Sequence, residues 1–239
     1  SVWHDGYTQH NCKRTNKMKV LELFAGSRSI GKVADKMSMK TFSVDWTEYE
    51  NIDLAIDIAE MKIEDCPFIP DLIWASPDCT TYSIAAISTH RNKQEPKSDY
   101  AKQCDKTNKH FISLIKQWQE LNPDMVFFIE NPRGMLRHMD FMQEFTRHTI
   151  WMCQYGDDRA KPTDIWTNST TWIPRKMCRN YKYDKDGNII DKHCHHESAR
   201  RGAKTGTQGK KGSYERSLLP EELCTEILMN YKLSCILAT

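Results

Sequence analysis

Four consecutive apolar residues, Leu72-Ile73-Trp74-Ala75, stop abruptly at Ser76-Pro77-Asp78-Cys79. A short run with no polar interruption fits a strand buried on both faces of a parallel sheet. Comparable runs occur at Lys19-Val20-Leu21-Glu22-Leu23-Phe24, Thr41-Phe42-Ser43-Val44 and Met125-Val126-Phe127-Phe128-Ile129, with an apolar–polar segment over 51–58. Ile30, Val33, Ala34 and Met37 follow the first run at helical spacing. Phe111, Ile112, Leu114, Ile115 and Trp118 fit an amphipathic helix that ends before Asn122-Pro123. Strands alternating with helices predict an α/β fold, in which ligands bind at the carboxyl ends of the strands.

The remaining elements follow from the same patterns. Residues 84–109 lack periodicity and read as a long loop over Cys79 that leads into the helix. A further helix is expected around Phe141 and Phe145, and strands at Thr149-Ile150-Trp151-Met152-Cys153 and Ile165-Trp166-Thr167-Asn168. A last helix begins near Glu221, with Pro220 at its first turn. The expected divisions are a polar tail (1–17), a catalytic domain (18–167), a small basic region (168–216) and a C-terminal helix returning to the catalytic domain (217–239).

Charge is unevenly distributed along the chain. Residues 1–158 carry 19 Lys and Arg against 23 Asp and Glu (−4), residues 159–216 carry 14 against 6 (+8), and residues 217–239 carry 1 against 3 (−2). A basic segment beside an acidic domain suggests a polyanionic partner held on one face; a solvated, lysine-rich loop region explains the charge equally well. No stretch approaches the roughly 18 apolar residues needed to span a bilayer, and no secretory leader is recognisable. Nine scattered cysteines without a disulfide-like spacing predict a reduced, cytoplasmic setting.

Several residues at predicted strand ends carry chemistry. Cys79, in a loop of small hydroxyl residues, could act as a thiolate nucleophile, although a lone loop cysteine is more often structural. Ala25-Gly26-Ser27-Arg28-Ser29 after the first strand reads as a turn that admits a ligand to the backbone, or as a turn chosen only for geometry. Asp45 and Trp46 end the second strand, where an acid can accept ribose hydroxyls and an aromatic ring can stack on adenine; Asp57 and Ile58 end the third. Glu130, one strand after Cys79, lies where its neutral, proton-donating form is favoured. Cys178 and Cys194, with His193, His195 or His196, could ligate zinc; from the sequence the favoured set is Cys178, Cys194 and His195, against a reading as ordinary loop residues.

In order and spacing these stretches resemble the DNA cytosine-5 methyltransferase family, particularly its small bacteriophage members. Leu23-Phe24-Ala25-Gly26 resembles the family's first motif, and Ser76-Pro77-Asp78-Cys79-Thr80-Thr81-Tyr82-Ser83 its Pro-Pro-Cys loop. Glu130-Asn131-Pro132 resembles its Glu-Asn-Val motif, and Tyr155-Gly156 through Arg159 and Lys161 its arginine-bearing motif. The resemblance covers about residues 18–167, and Gly202-Ala203-Lys204-Thr205-Gly206-Thr207-Gln208-Gly209 is similar to phage members. It implies a Rossmann-like S-adenosylmethionine-dependent methyltransferase sheet with a small target-recognition region, acting as a monomer on double-stranded DNA in a bacterial cytoplasm, as in restriction–modification. Cys79, Glu130 and Arg159 would be catalytic. Phe24, Ala25, Gly26, Ser27, Arg28, Asp45, Trp46, Asp57, Ile58 and Pro77 would bind the cofactor. Ser83, Arg133, Lys161, Arg200, Arg201, Lys204, Thr205, Thr207 and Gln208 would contact DNA.

The sequence departs from the family pattern at several points. Asp78 replaces the second Pro, Thr80 the usual Gln, Ser27-Arg28-Ser29 the Gly-rich turn and Pro132 the Val, and the family's final motif is not recognisable in 213–239. An acid beside Cys79 should raise its thiol pKa. An RNA cytosine-5 enzyme would place its nucleophile where Glu130-Asn131 stands, which argues for DNA. The alternatives are a DNA-binding module with weak or altered activity, and transfer of a modified methyl group from a variant cofactor.

Overall fold

The computed structural model describes residues 17–178, 181–186, 189–192, 194–196 and 213–237. Its main sheet has seven strands: β1 (Lys19–Leu23), β2 (Lys40–Asp45), β3 (Leu54–Ala55), β4 (Leu72–Ala75), β5 (Val126–Pro132), β6 (Thr146–Trp151) and β7 (Pro162–Thr167). Among the described residues three helices have eight residues or more, α1 (Ser29–Lys36), α2 (Asp99–Leu121) and α3 (Glu221–Leu237). The strands lie in the order β3-β2-β1-β4-β5-β7-β6. β1 through β5 are mutually parallel, and β7 runs antiparallel between β5 and β6. This is a Rossmann-like, mostly parallel α/β sheet, the architecture expected from the sequence.

Both faces of the central strands are apolar, which is why they read as unbroken hydrophobic runs. Leu21, Leu23, Ile73, Ala75, Phe127 and Ile129 face one layer, where α2 packs Phe111, Ile112, Ile115 and Trp118 on them. Val20, Leu72, Trp74 and Phe128 face the other, against Ile30, Val33 and Ala34 of α1 and Leu223, Cys224, Ile227 and Leu228 of α3. Strand order reverses between β1 and β4, and the register pairs Leu23 with Ala75 and Ala75 with Ile129. β1 and β4 therefore end level, β5 continues to Pro132, and the residues beyond the paired Leu23, Ala75 and Ile129 open on one crevice. Among the described residues no helix is long and apolar enough to cross a membrane.

Within 84–109 the expected loop gives way to α2 at Asp99, with the Ser98 side chain accepting a hydrogen bond from the Ala101 N–H at 3.1 Å. Its first buried positions are Ala101, Cys104, Asp105 and Asn108, so helical spacing is present but half of it is written in polar residues. The helix expected around Phe141 and Phe145 is absent. Two 3-10 turns, Met135–His138 and Asp140–Met142, stand there instead. The Gln143 amide donates to the carbonyls of Arg137 and Met139, which a longer helix would use for its own ladder.

Candidate active site

The turn after β1 is the first wall of the crevice. Phe24, Gly26 and Arg28 all have positive φ (55°, 48° and 55°), so the chain doubles back sharply before α1. The Gly26 N–H donates to Asp45 Oδ2 at 2.9 Å, and the Thr47 N–H to Asp45 Oδ1 at 2.9 Å. Asp45 is buried by this work and belongs to neither cavity wall described below. Arg28 likewise turns inward: its Nε donates to Ser43 Oγ at 2.9 Å and its Nη2 to Asp35 Oδ2 at 3.1 Å. Arg28, expected near the cofactor, lines neither cavity described below. With Ser43 and Asp35 as partners, it braces β2 against α1.

Glu22, which the sequence reading passed over, occupies a telling place. From β1 it accepts the Ile30 N–H at 3.0 Å and the Gly31 N–H at 2.9 Å, so a carboxylate already fills the N-terminus of α1. Burial pushes its pKa up to about 7, against the pull of those amides and of Arg28. The signal was available in the sequence: an acid inside an apolar strand run must have partners.

A cavity of about 270 Å³ opens between the strand ends, walled by Glu22, Phe24 through Ser27, Pro77 through Thr80, Glu130, Pro132 and Lys161. A second, of about 250 Å³, shares Phe24 and Asp78 with it and extends to Trp46, Asp57, Ile58 and Tyr100. The Trp46 ring is 79% exposed at that rim. The Asp57 carboxylate accepts the Ala59 N–H at 2.9 Å.

Cys79 and Glu130 meet in the first cavity. Cys79 immediately precedes the 3-10 turn Thr80–Tyr82, and Glu130 stands one residue beyond the Ala75–Ile129 pair of β4 and β5. Burial, then the charges of Glu130 and Asp78, push the Cys79 thiol up to about 11, while Lys161 opposes them. Burial also raises the Glu130 carboxyl, against the pull of Lys161 and Ser76. Glu130 Oε1 is buried without a hydrogen-bond partner among the described residues. The Asn131 amide donates to the Pro77 carbonyl at 2.8 Å and ties the Cys79 loop to β5. Asp78 is held by the Tyr100 hydroxyl and the Thr80 N–H, both at 2.5 Å.

Other expected residues lie elsewhere. Arg159 is buried, and its Nε and Nη2 bind Asp157 at 2.9 and 2.7 Å; it lines neither cavity, whereas Lys161 does. Ser83 is half-buried at the end of the Cys79 turn and Arg133 is exposed beyond β5. Arg200, Arg201, Lys204, Thr205, Thr207 and Gln208 lie outside the described residues.

A second constellation lies beyond β6, where Cys153, Cys178, Cys194 and His196 bring their ligand atoms within 4.8 Å of one another. Two of the expected metal-ligating residues are in it, but His195 is not. Its exposed ring places Nε2 2.8 Å from the Asp157 carbonyl, and the neighbouring His196 turns inward instead. Cys153 was missed because it is distant in sequence and looks like the end of a buried strand.

Fold and crevice together define a Rossmann-like α/β protein with a thiol and a carboxyl brought together near adjacent strand ends. No protein-family model matches the chain, and no curated protein matches it. One solved structure it is similar to is the precorrin-6y C5,15-methyltransferase of Geobacter metallireducens GS-15, with 11% identity and a TM-score of 0.36 over 64% of this chain and 79% of that one. A likeness at that level does not define this chain's activity.

Proposed function

We propose that the protein is an S-adenosylmethionine-dependent DNA cytosine-5 methyltransferase with Cys79 as its nucleophile. The observation that carries this reading is the pairing of Cys79 and Glu130 at the ends of β4 and β5 in one cavity, with Glu130 Oε1 buried and unpartnered among the described residues. Cytosine C5 is a poor nucleophile until a group adds at C6. Cys79, having lost its proton, forms the S–C6 bond. Glu130, with its neutral form favoured, gives a hydrogen bond or proton to N3 and accepts one from the exocyclic amine. C5, activated by that addition, would take the methyl group the cofactor supplies, and loss of the C5 proton to water would then re-form the C5=C6 bond and expel Cys79 as thiolate. The target base must leave the duplex stack to reach this cavity.

The residues present suit the proposed cofactor. When bound, S-adenosylmethionine supplies an electrophilic methyl group on a sulfonium. The Glu22 carboxylate at the head of α1 disfavours the pyrophosphate of a dinucleotide there and favours a cationic centre nearby. Phe24, Ala25, Gly26, Ser27 and Pro77 would hold the methionine end, and Trp46, Asp57 and Ile58 the adenine end of the adjoining cavity. DNA as the substrate rests on the excess positive charge of residues 159–216 and on the family resemblance.

The test is transfer of labelled methyl from S-adenosylmethionine to unmethylated DNA, with Cys79→Ala and Glu130→Gln alongside. Label at cytosine C5 that vanishes with Cys79→Ala supports the reading. The raised Cys79 pKa favours one alternative, a DNA-binding module with weak activity. DNA binding without label would support that alternative and overturn the enzyme.

A further inference from the structure

We infer that Cys153, Cys178, Cys194 and His196 form a structural zinc site that fastens the basic segment to the loop carrying Arg159 and Lys161. The four ligands come from separate stretches. Cys153 lies in the 3-10 turn Met152–Tyr155 after β6, Cys178 follows β7, and Cys194 and His196 follow the small antiparallel hairpin Tyr181–Tyr183 and Ile189–Lys192. Chance rarely brings three thiols and an imidazole from such distant positions within 4.8 Å of one another. The Cys178 Sγ to His196 Nδ1 distance is 3.7 Å. Zinc bonds of about 2.3 Å to sulfur and 2.0–2.1 Å to nitrogen give tetrahedral S···N edges of roughly 3.6 Å and S···S edges of roughly 3.8 Å.

The donor set selects the ion and its role. Three thiolates and one imidazole favour zinc over the oxygen-seeking magnesium or calcium. Four protein ligands close the coordination sphere, so the ion supports the fold and takes no part in catalysis. No disulfide is present among the described cysteines, and three thiols could not all pair within the cluster. The Gln154 amide lies 3.8 Å from Cys153 Sγ and 3.7 Å from Cys194 Sγ, placed to donate N–H to thiolate sulfur as an outer-shell group.

The site also has a reason to exist where it does. A hairpin of three- and four-residue strands buries little by itself and needs a staple. Beside His196, His195 Nε2 contacts the Asp157 carbonyl, and the same Asp157 grips Arg159 through its side chain. Zinc at the cluster would thus join the base of the 168–216 region to the Arg159–Lys161 loop. That this segment grips DNA rests on the proposed function; the metal site does not.

The experiment is metal analysis of the full chain purified without chelator, followed by cobalt reconstitution. The expected result is one zinc per chain, and for cobalt the visible bands of tetrahedral thiolate coordination. Cys178→Ser and His196→Ala should abolish both, and His195→Ala should retain both. Stripping the metal should speed tryptic cleavage between Arg175 and Lys192 by roughly tenfold or more. Lack of zinc in the unmutated protein after reconstitution under reducing conditions would overturn the site. So would loss of metal with His195→Ala alone, or a mapped disulfide within the cluster. Unchanged proteolysis would overturn its structural role. Metal content is read independently of methyl transfer, so either proposal can fail alone.

Discussion

The Cys79 thiol is the proposed nucleophile, and its surroundings work against ionisation. Burial comes first, followed by the charges of Glu130 and Asp78, with Lys161 opposing them, and the thiol is raised to about 11. Asp78→Asn removes one of the charges that oppose ionisation, keeps Oδ1 for the Thr80 N–H and places an amide NH2 where the Tyr100 hydroxyl oxygen can accept. Alkylation of Cys79 by iodoacetamide, followed by peptide mass spectrometry, should then run about two- to five-fold faster at pH 8. An unchanged pH profile would show that Asp78 does not act on the thiol. Glu22 gives a prediction in stability. Its pKa is raised from about 4.5 to about 7 on folding, so the folded state holds a proton that the unfolded chain has released in that window. Stability is full below about pH 4.5 and falls as pH rises through 7, by on the order of 3 kcal/mol from this group. Urea unfolding of Glu22→Gln should show a flatter dependence between pH 5 and 8, and equal slopes would contradict the assignment.

At the scale of elements, the Cys79 turn is held by a buried charge network. Arg91 Nη2 and Asp105 Oδ1 lie 2.6 Å apart, Arg91 Nε donates to the Thr81 carbonyl at 2.9 Å, and the Tyr82 hydroxyl donates to Asp105 at 2.6 Å. Arg91→Ala leaves Asp105 buried without its cation and should cost about 3–5 kcal/mol in chemical denaturation. The double change Arg91→Ala with Asp105→Ala should recover part of that loss, and simple additivity would argue against a coupled pair. Gly134 is tied to the same turn, since a Cβ there would collide with the Tyr82 backbone carbonyl. This network also explains what could be read beforehand. β1, β4 and β5 were legible because parallel strands buried on both faces are apolar over most of their length, with Glu22 the one acid inside the β1 run. The first three turns of α2 were not, because Asp105 and Asn108 sit at its core positions, satisfied by Arg91 and Tyr82 from elsewhere in the chain. Local pattern cannot reveal a polar residue whose partner is distant in sequence. The same limit hid Cys153 from the cluster and favoured His195 where the structure brings in His196.

For the whole molecule, the order β3-β2-β1-β4-β5-β7-β6 brings residues from four separate strand ends to one crevice. Cys79 and Glu130 were legible as strand-end residues, whereas the inward turn of Arg28 and the pairing of Arg159 with Asp157 depend on three-dimensional neighbours. The most direct test of the central claim is trapping on a DNA duplex carrying 5-fluorocytosine, with S-adenosylmethionine present. Fluorine at C5 cannot leave as a proton, so the final elimination is blocked and the S–C6 bond persists. The account predicts a denaturation-resistant protein–DNA adduct whose peptide maps to Cys79 and which is lost in Cys79→Ala. An adduct at any other cysteine, or no adduct from protein that binds both DNA and cofactor, would contradict it.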